Sequence, residues 1–168
     1  INSIRWLSYS FGTLGNLSTQ TEQKQAYFQK ALGFAQSIRA SDIAYQWQQQ
    51  LGLIYQKQGQ TELAIQNYNA AIANMTEVRD SLLSTNGDLE FSFQSEMEPT
   101  YRNYMRLLLK SPNPDLKRVI QINEGLQIAR LENFLRCGKL DLVALNQLPN
   151  LKSAPAVINI IDFGDTIE

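Results

Sequence analysis

Apolar residues recur at steps of three and four along most of this chain, the spacing of helices that each bury one stripe. Tyr27, Phe28, Ala31, Leu32, Ala35 and Ile38 make one such stripe. Ahead of it, Thr19-Gln20-Thr21-Glu22 has the form of a capping box, a hydroxyl cap with an acid three residues on. Trp6, Leu7, Tyr9, Phe11 and Leu14 predict a short buried helix over 4–15. Ser41-Asp42 is the next start signal. The helix it opens carries Ala44, Trp47, Leu51, Ile54 and Tyr55 and stops near Gly59.

A long helix follows from Thr61, with Ala64, Ile65, Tyr68, Ala71, Ile72, Met75, Val78 and Leu82 on its apolar side. Asn86-Gly87 offers a left-handed stop. Ser95 to Glu98 is a second capping box, with Glu98 as its acid and Pro99 inside the first turn, where a missing N–H costs little. Tyr101, Tyr104, Met105, Leu108 and Leu109 carry that helix to about Lys110. In Pro112-Asn113-Pro114-Asp115, Asn113 can cap, Pro114 suits the first helical position and Asp115 complements the dipole. The next stripe runs through Leu116, Val119, Ile120, Ile122, Leu126, Ala129, Leu131, Phe134 and Leu135 to Gly138. A further short helix is expected over 140–147. Past Pro149 and Pro155 the β-branched run Ala156 to Ile161 predicts a strand, and Asp162 to Asp165 a turn. The chain opens at Ile1 without Met and stops within this pattern, so it is expected to be a segment of a longer protein.

Leu51-Gly52, Tyr55, Gly59, Ala64, Tyr68 and Ala71 stand in the order and spacing of a tetratricopeptide (TPR) repeat, whose period is about 34 residues. The clear copy covers 45–78. Small residues at Gly52, Ala64 and Ala71 let two helices approach, while Leu51, Tyr55 and Tyr68 fill the space between them. A weaker copy over about 8–40 matches Leu14-Gly15 to Leu51-Gly52, and Phe28 with Ala31 to Tyr68 with Ala71. Two places depart from the repeat: Gln48 stands where its tryptophan is expected, and Thr76 where its closing proline is expected. A third helical pair, Met97 to Lys110 with Asp115 to Cys137, continues the stack without the small-residue signature.

The chain from about Ser8 to Ile161 also resembles the segment that joins repeats to the caspase-like CHAT domain of large bacterial, particularly cyanobacterial, proteins. The residues carrying this are Ser41 to Gln48, Phe91-Ser92-Phe93-Gln94, Glu98 to Arg102 and Leu126 to Arg136. Together the two resemblances imply an all-α, TPR-like helical-repeat solenoid of about three antiparallel helix pairs with a short C-terminal extended or strand tail. Residues 1–86 would be the repeats, 87–148 a further helical pair and cap, and 149–168 the linker and first strand of a following domain.

Composition narrows the chemistry. The chain has no histidine, which removes the commonest general base and metal ligand, and Cys137 is its only cysteine. No disulfide or thiolate zinc cluster can form within it. The CHAT resemblance supplies no catalytic residue, because the catalytic His and Cys of such domains lie beyond the first strand. No catalytic, metal or cofactor residue is therefore expected. A formal net charge of −1 argues against nucleic acid, whose binders carry a basic excess. No run approaches the roughly 18 apolar residues of a membrane span. Only 18% of residues are charged, and glutamines between 46 and 60 fill a neutral, solvated face.

The TPR resemblance implies a concave groove lined by the first helix of each pair, receiving a peptide or helix. Carried onto matching positions, its residues are Gln46, Gln49, Leu53, Gln56 and Lys57, with Tyr9, Asn16 and Gln20 from the weaker copy. The Lys and Asn clamp used for terminal carboxylates is absent, Gln49 and Leu53 standing at two of its places. Arg102 and Arg106, one turn apart, add a mildly basic strip. The expected function is a protein-interaction scaffold, taking a protein or peptide partner in trans or the downstream domain in cis. The alternative is a structural spacer or intramolecular lid. The sequence names no compartment.

Overall fold

The structure, a computed structural model, describes residues 2–84, 97–135 and 161, and the side chains of all these except 82–84 and 133–135. The expected Asn86-Gly87 stop, the Phe91 to Gln94 motif, Ser95, Cys137, the helix over 140–147 and the strand over 156–161, save Ile161, lie outside them. The described residues are all-α. They form α1 (Asn2–Leu17), α2 (Thr21–Ser37), α3 (Ser41–Lys57), α4 (Thr61–Ser84), α5 (Glu98–Leu109) and α6 (Leu116–Leu135). Ile161 is buried and lies outside regular structure.

Each helix packs on its neighbours in sequence. The turns after α1, α2 and α3 are three residues long, which forces antiparallel neighbours. Arg39 and Gly59 take the left-handed conformation that ends α2 and α3, at φ 53° and 73°. In both turns the next amide reaches back over five residues, Ala40 to Ala35 and Gln60 to Tyr55, each at 2.9 Å, closing orphan carbonyls in a Schellman motif.

The apolar stripes of α2 to α6 are buried over most of their length, but Leu116 and Leu131, which their spacing puts on the α6 stripe, are exposed. Phe28, Ala31 and Ala35 of α2, Leu51 and Tyr55 of α3, and Ala64, Tyr68, Ala71 and Met75 of α4 share one core with Tyr101, Tyr104, Met105, Leu126 and Ala129. Gly52 is also buried. A Cβ there would stand 2.8 Å from the Tyr68 ring, so this residue sets how closely α3 and α4 approach.

Helix α1 differs from the expected short buried helix. It is longer, and Trp6, Leu7 and Leu14 are exposed, while Ser8, Gly12 and Gly15 are buried. Small residues spaced by four and three form its close-packing side. Trp47 of α3 lies over Gly12, and Phe28 of α2 lies against Gly15. At the centre of this junction, Ser8 Oγ donates to the Ala31 carbonyl at 2.7 Å and accepts from Trp47 Nε1 at 3.0 Å. Trp47 also stacks on Phe28, with ring centroids 5.8 Å apart.

Local signals at helix starts also need correction. Gln20 precedes α2 without a side-chain cap, so Thr19 to Glu22 is not a working capping box. Before α6 the cap falls two residues later than Asn113: Asp115 Oδ1 accepts the Arg118 amide at 3.0 Å. In the third pair Gly125 of α6 faces the Tyr101 ring, but a Cβ there would stand at an ordinary 3.7 Å, so the close approach at Gly15 and Gly52 is not repeated.

Candidate functional site

Helix α3 carries Gln46, Gln49, Leu53, Gln56 and Lys57 at steps of three and four, so the backbone alone puts them on one stripe. Helix α1 runs beside α3 in the same direction, joined to it by the Arg5–Asp42 ion pair and by the edge of Tyr9 on Trp47 at 6.5 Å. Tyr9 and Asn16 of α1 and Gln20 of the α1–α2 turn are the counterparts of Gln46, Leu53 and Lys57, each 37 positions earlier.

The side chains divide in two. Lys57, Asn16 and Gln20 are exposed; Tyr9, Gln46 and Leu53 are half-buried. Gln46 bonds within its own helix, to the Asp42 carbonyl at 3.3 Å. Gln49 and Gln56 instead serve the fold. Gln49 Nε2 donates to Thr100 Oγ1 of α5, tying the second pair to the third. Gln56 Oε1 accepts the Tyr68 hydroxyl at 2.7 Å, and burial pushes the phenol pKa of Tyr68 well up.

Arg102 and Arg106 lie half-buried on α5. Arg102 turns to Glu98 at 3.3 Å, and Arg130 of α6 grips the same carboxylate at 2.8 and 3.0 Å. Glu98 thus holds α6 to α5 in a bidentate ion pair, while Ser95, its expected capping partner, lies outside the described residues. Beside it, Arg79 of α4 reaches Glu132 of α6 at 3.2 Å, with the Glu132 side chain only 2% exposed. Tyr101 is buried in the same region, and desolvation raises its pKa. The structure therefore groups Arg102 with a charge cluster drawn from α4, α5 and α6. Sequence periodicity gave no sign of this cluster, because Arg79, Glu98 and the Arg130/Glu132 segment lie on three different helices, far apart in sequence.

An open crevice of about 430 Å³ lies where the α2–α3 turn meets α4, bordered by Arg39, Ser41, Gln48, Asn74 and Glu77. Its polar groups mostly satisfy one another: Ser41 Oγ donates to Glu77 and Asn74 Nδ2 to Gln48, both at 2.7 Å. Among the described residues no group of His, Cys, Asp and Glu could hold a metal ion, and no helix is long and apolar enough to cross a membrane. Leu131 is exposed on α6. Set against known protein families, curated proteins and solved structures, the chain matches none.

Proposed function

We propose that this chain is a TPR-like helical-repeat scaffold that binds a peptide or helix of another protein along the α1–α3 stripe. The observation that carries the reading is a repeated contact. Gly15 of α1 meets the Phe28 ring of α2, and Gly52 of α3 meets the Tyr68 ring of α4 in the same way. A repeating pair of helices aligns its first helices side by side, and such a surface suits an extended or helical ligand. The accessible members, Tyr9, Asn16, Gln46, Leu53 and Lys57, offer neutral hydrogen bonders, apolar contacts and one cation. In this reading the chain contributes no catalytic group. It recruits for, or regulates, a downstream caspase-like domain that begins near residues 156–161.

A spacer or lid within one protein is the second reading, favoured by the use of Gln49, Gln56 and Arg102 within the fold. Capture from the source cell separates the two. The bait is the wild-type chain, and the control carries Leu53→Glu with Lys57→Glu, one half-buried and one exposed member of the stripe, with its helicity and melting checked against the wild type. Loss of one captured protein by the control supports binding in trans. Equal capture by both removes the stripe as the site. Capture of nothing but a separately expressed downstream domain makes the spacer reading the right one.

A further inference from the structure

Four large apolar side chains, Trp6, Leu7, Leu14 and Leu17, stand exposed on α1, with Trp6 71% and Leu17 74% accessible. Together with Ser10 they form one continuous stripe at steps of three and four, so α1 has an apolar face of its own. Of the seven exposed large hydrophobics among the described residues, these four share one helix face, which sets them apart from scattered surface leucines.

The internal repeat says what such a face is for. Two independent contacts fix the alignment of the pairs. Gly15 with Phe28 corresponds to Gly52 with Tyr68, and Phe11 with Phe34 corresponds to Gln48 with Asn74. Both shift the first helix by 37 positions and the second by 40. On that alignment Trp6, Leu7, Leu14 and Leu17 fall on Ile43, Ala44, Leu51 and Ile54 of α3. All four of those are buried. The face of α3 they belong to is covered by α2, which bonds it at Gln29–Tyr55 and Gln25–Gln58 and stacks Phe28 on Trp47.

We infer that the α1 face is a stacking surface for the second-type helix of a preceding helical pair, lying antiparallel to α1 as α2 lies to α3. That helix has the chemistry of the α2 surface: an aromatic and a leucine, like Phe28 and Leu32, flanked by neutral amides, like Gln25, Gln29 and Gln36. One difference follows from Ser10, which stands where α3 has Trp47. Without that ring to accommodate, the preceding pair needs a larger side chain where α1 has Gly12. The inference rests on the repeat alignment and not on ligand binding by the α3 stripe.

The test is a tandem protein in which residues 2–40 precede residue 4 of the full chain, reproducing the junction between Ala40 and Ser41. The added unit carries Trp6→Phe, so that the original Trp6 and Trp47 are the only tryptophans, and Gly12→Leu to fill the space that Trp47 occupies in α3. In the single chain Trp6 is open to acrylamide and Trp47, only 5% exposed, is the internal standard for folding. The tandem is expected to protect Trp6 nearly as well as Trp47 and to unfold at a higher midpoint in one transition. Leu14→Glu with Leu17→Glu in the original unit should restore quenching of Trp6 while Trp47 stays protected. A folded tandem whose Trp6 is quenched as in the single chain overturns the inference. So does concentration-dependent protection of Trp6 in the single chain alongside dimer formation by sedimentation, which would make a second copy the occupant.

Discussion

Gly12→Ala is a substitution that raises helix propensity and should nevertheless destabilise the protein. The gain in propensity is about 1 kcal/mol for an interior helical position. Against it, the added Cβ would stand 2.0 Å from Trp47 Cη2, with two further ring atoms at 2.3 and 2.5 Å. The indole cannot slide away freely. Its Nε1 donates to buried Ser8, one face stacks on Phe28, and Tyr9 meets it edge-on. Overpacking costs about 1–3 kcal/mol, and displacing the ring also loses a buried hydrogen bond worth about 1 kcal/mol. The net expectation is a loss of roughly 2 kcal/mol. Gly33 is the matched control, since it lies inside α2 with open space around its Cβ direction, so Gly33→Ala should gain about 1 kcal/mol. The two variants should then differ by about 3 kcal/mol, on the order of 6–12 °C in Tm. Urea and thermal unfolding followed by Trp fluorescence measure both. A Gly12→Ala protein as stable as Gly33→Ala, with the near-UV signal of its tryptophans unchanged, would refute the account of the α1–α3 junction.

Four more outcomes are expected. Ser8→Ala strands the buried indole N–H of Trp47 and should cost about 1–3 kcal/mol in urea unfolding, with Ser8→Gly no better. Arg39→Gly relieves a non-glycine residue held at φ 53° and should raise stability by about 1 kcal/mol by thermal melt. Glu132→Ala leaves Arg79 without its buried partner and should cost about 3–5 kcal/mol, whereas Arg79→Met with Glu132→Leu should recover most of that, read as a double-mutant cycle. Burial raises the pKa of Tyr68 and Tyr101 above the unfolded value near 10, so the unfolded state loses those protons first. Stability should hold below about pH 10 and fall as pH rises through the folded pKa values, and Tyr68→Phe should flatten that fall by its share.

The helices from α2 to α6 were legible because their stripes are long and most of their apolar side chains are buried, Leu63, Leu116 and Leu131 being exposed. Helix α1 was misread for a physical reason. Its inward side is built from Ser8, Gly12 and Gly15, residues that hydropathy does not score as core, while Trp6, Leu7, Leu14 and Leu17 face outward and Tyr9 and Phe11 pack partly against the core. The signal that could have found this was the small-residue spacing, which on α3 had already been read correctly at Gly52. Helix starts were less legible, since Thr19 and Asn113 have the right chemistry one or two residues from where the chain turns. Of the candidate stripe, periodicity placed the α3 residues together. It could not say that Gln49 and Gln56 are held by Thr100 and Tyr68, because those bonds cross between helices. The Glu98 and Glu132 clusters were illegible for the same reason, and Glu98 at a helix start resembled a cap until Arg130 was seen across from it.

Photo-crosslinking in the source cell tests the central claim most directly, with a benzophenone side chain placed at Leu53 on the stripe or at exposed Gln66 on α4 as control. A scaffold that binds through the α1–α3 stripe should give one discrete protein adduct at position 53 and none at position 66. Adducts that are absent at position 53, or the same at both positions, would contradict it.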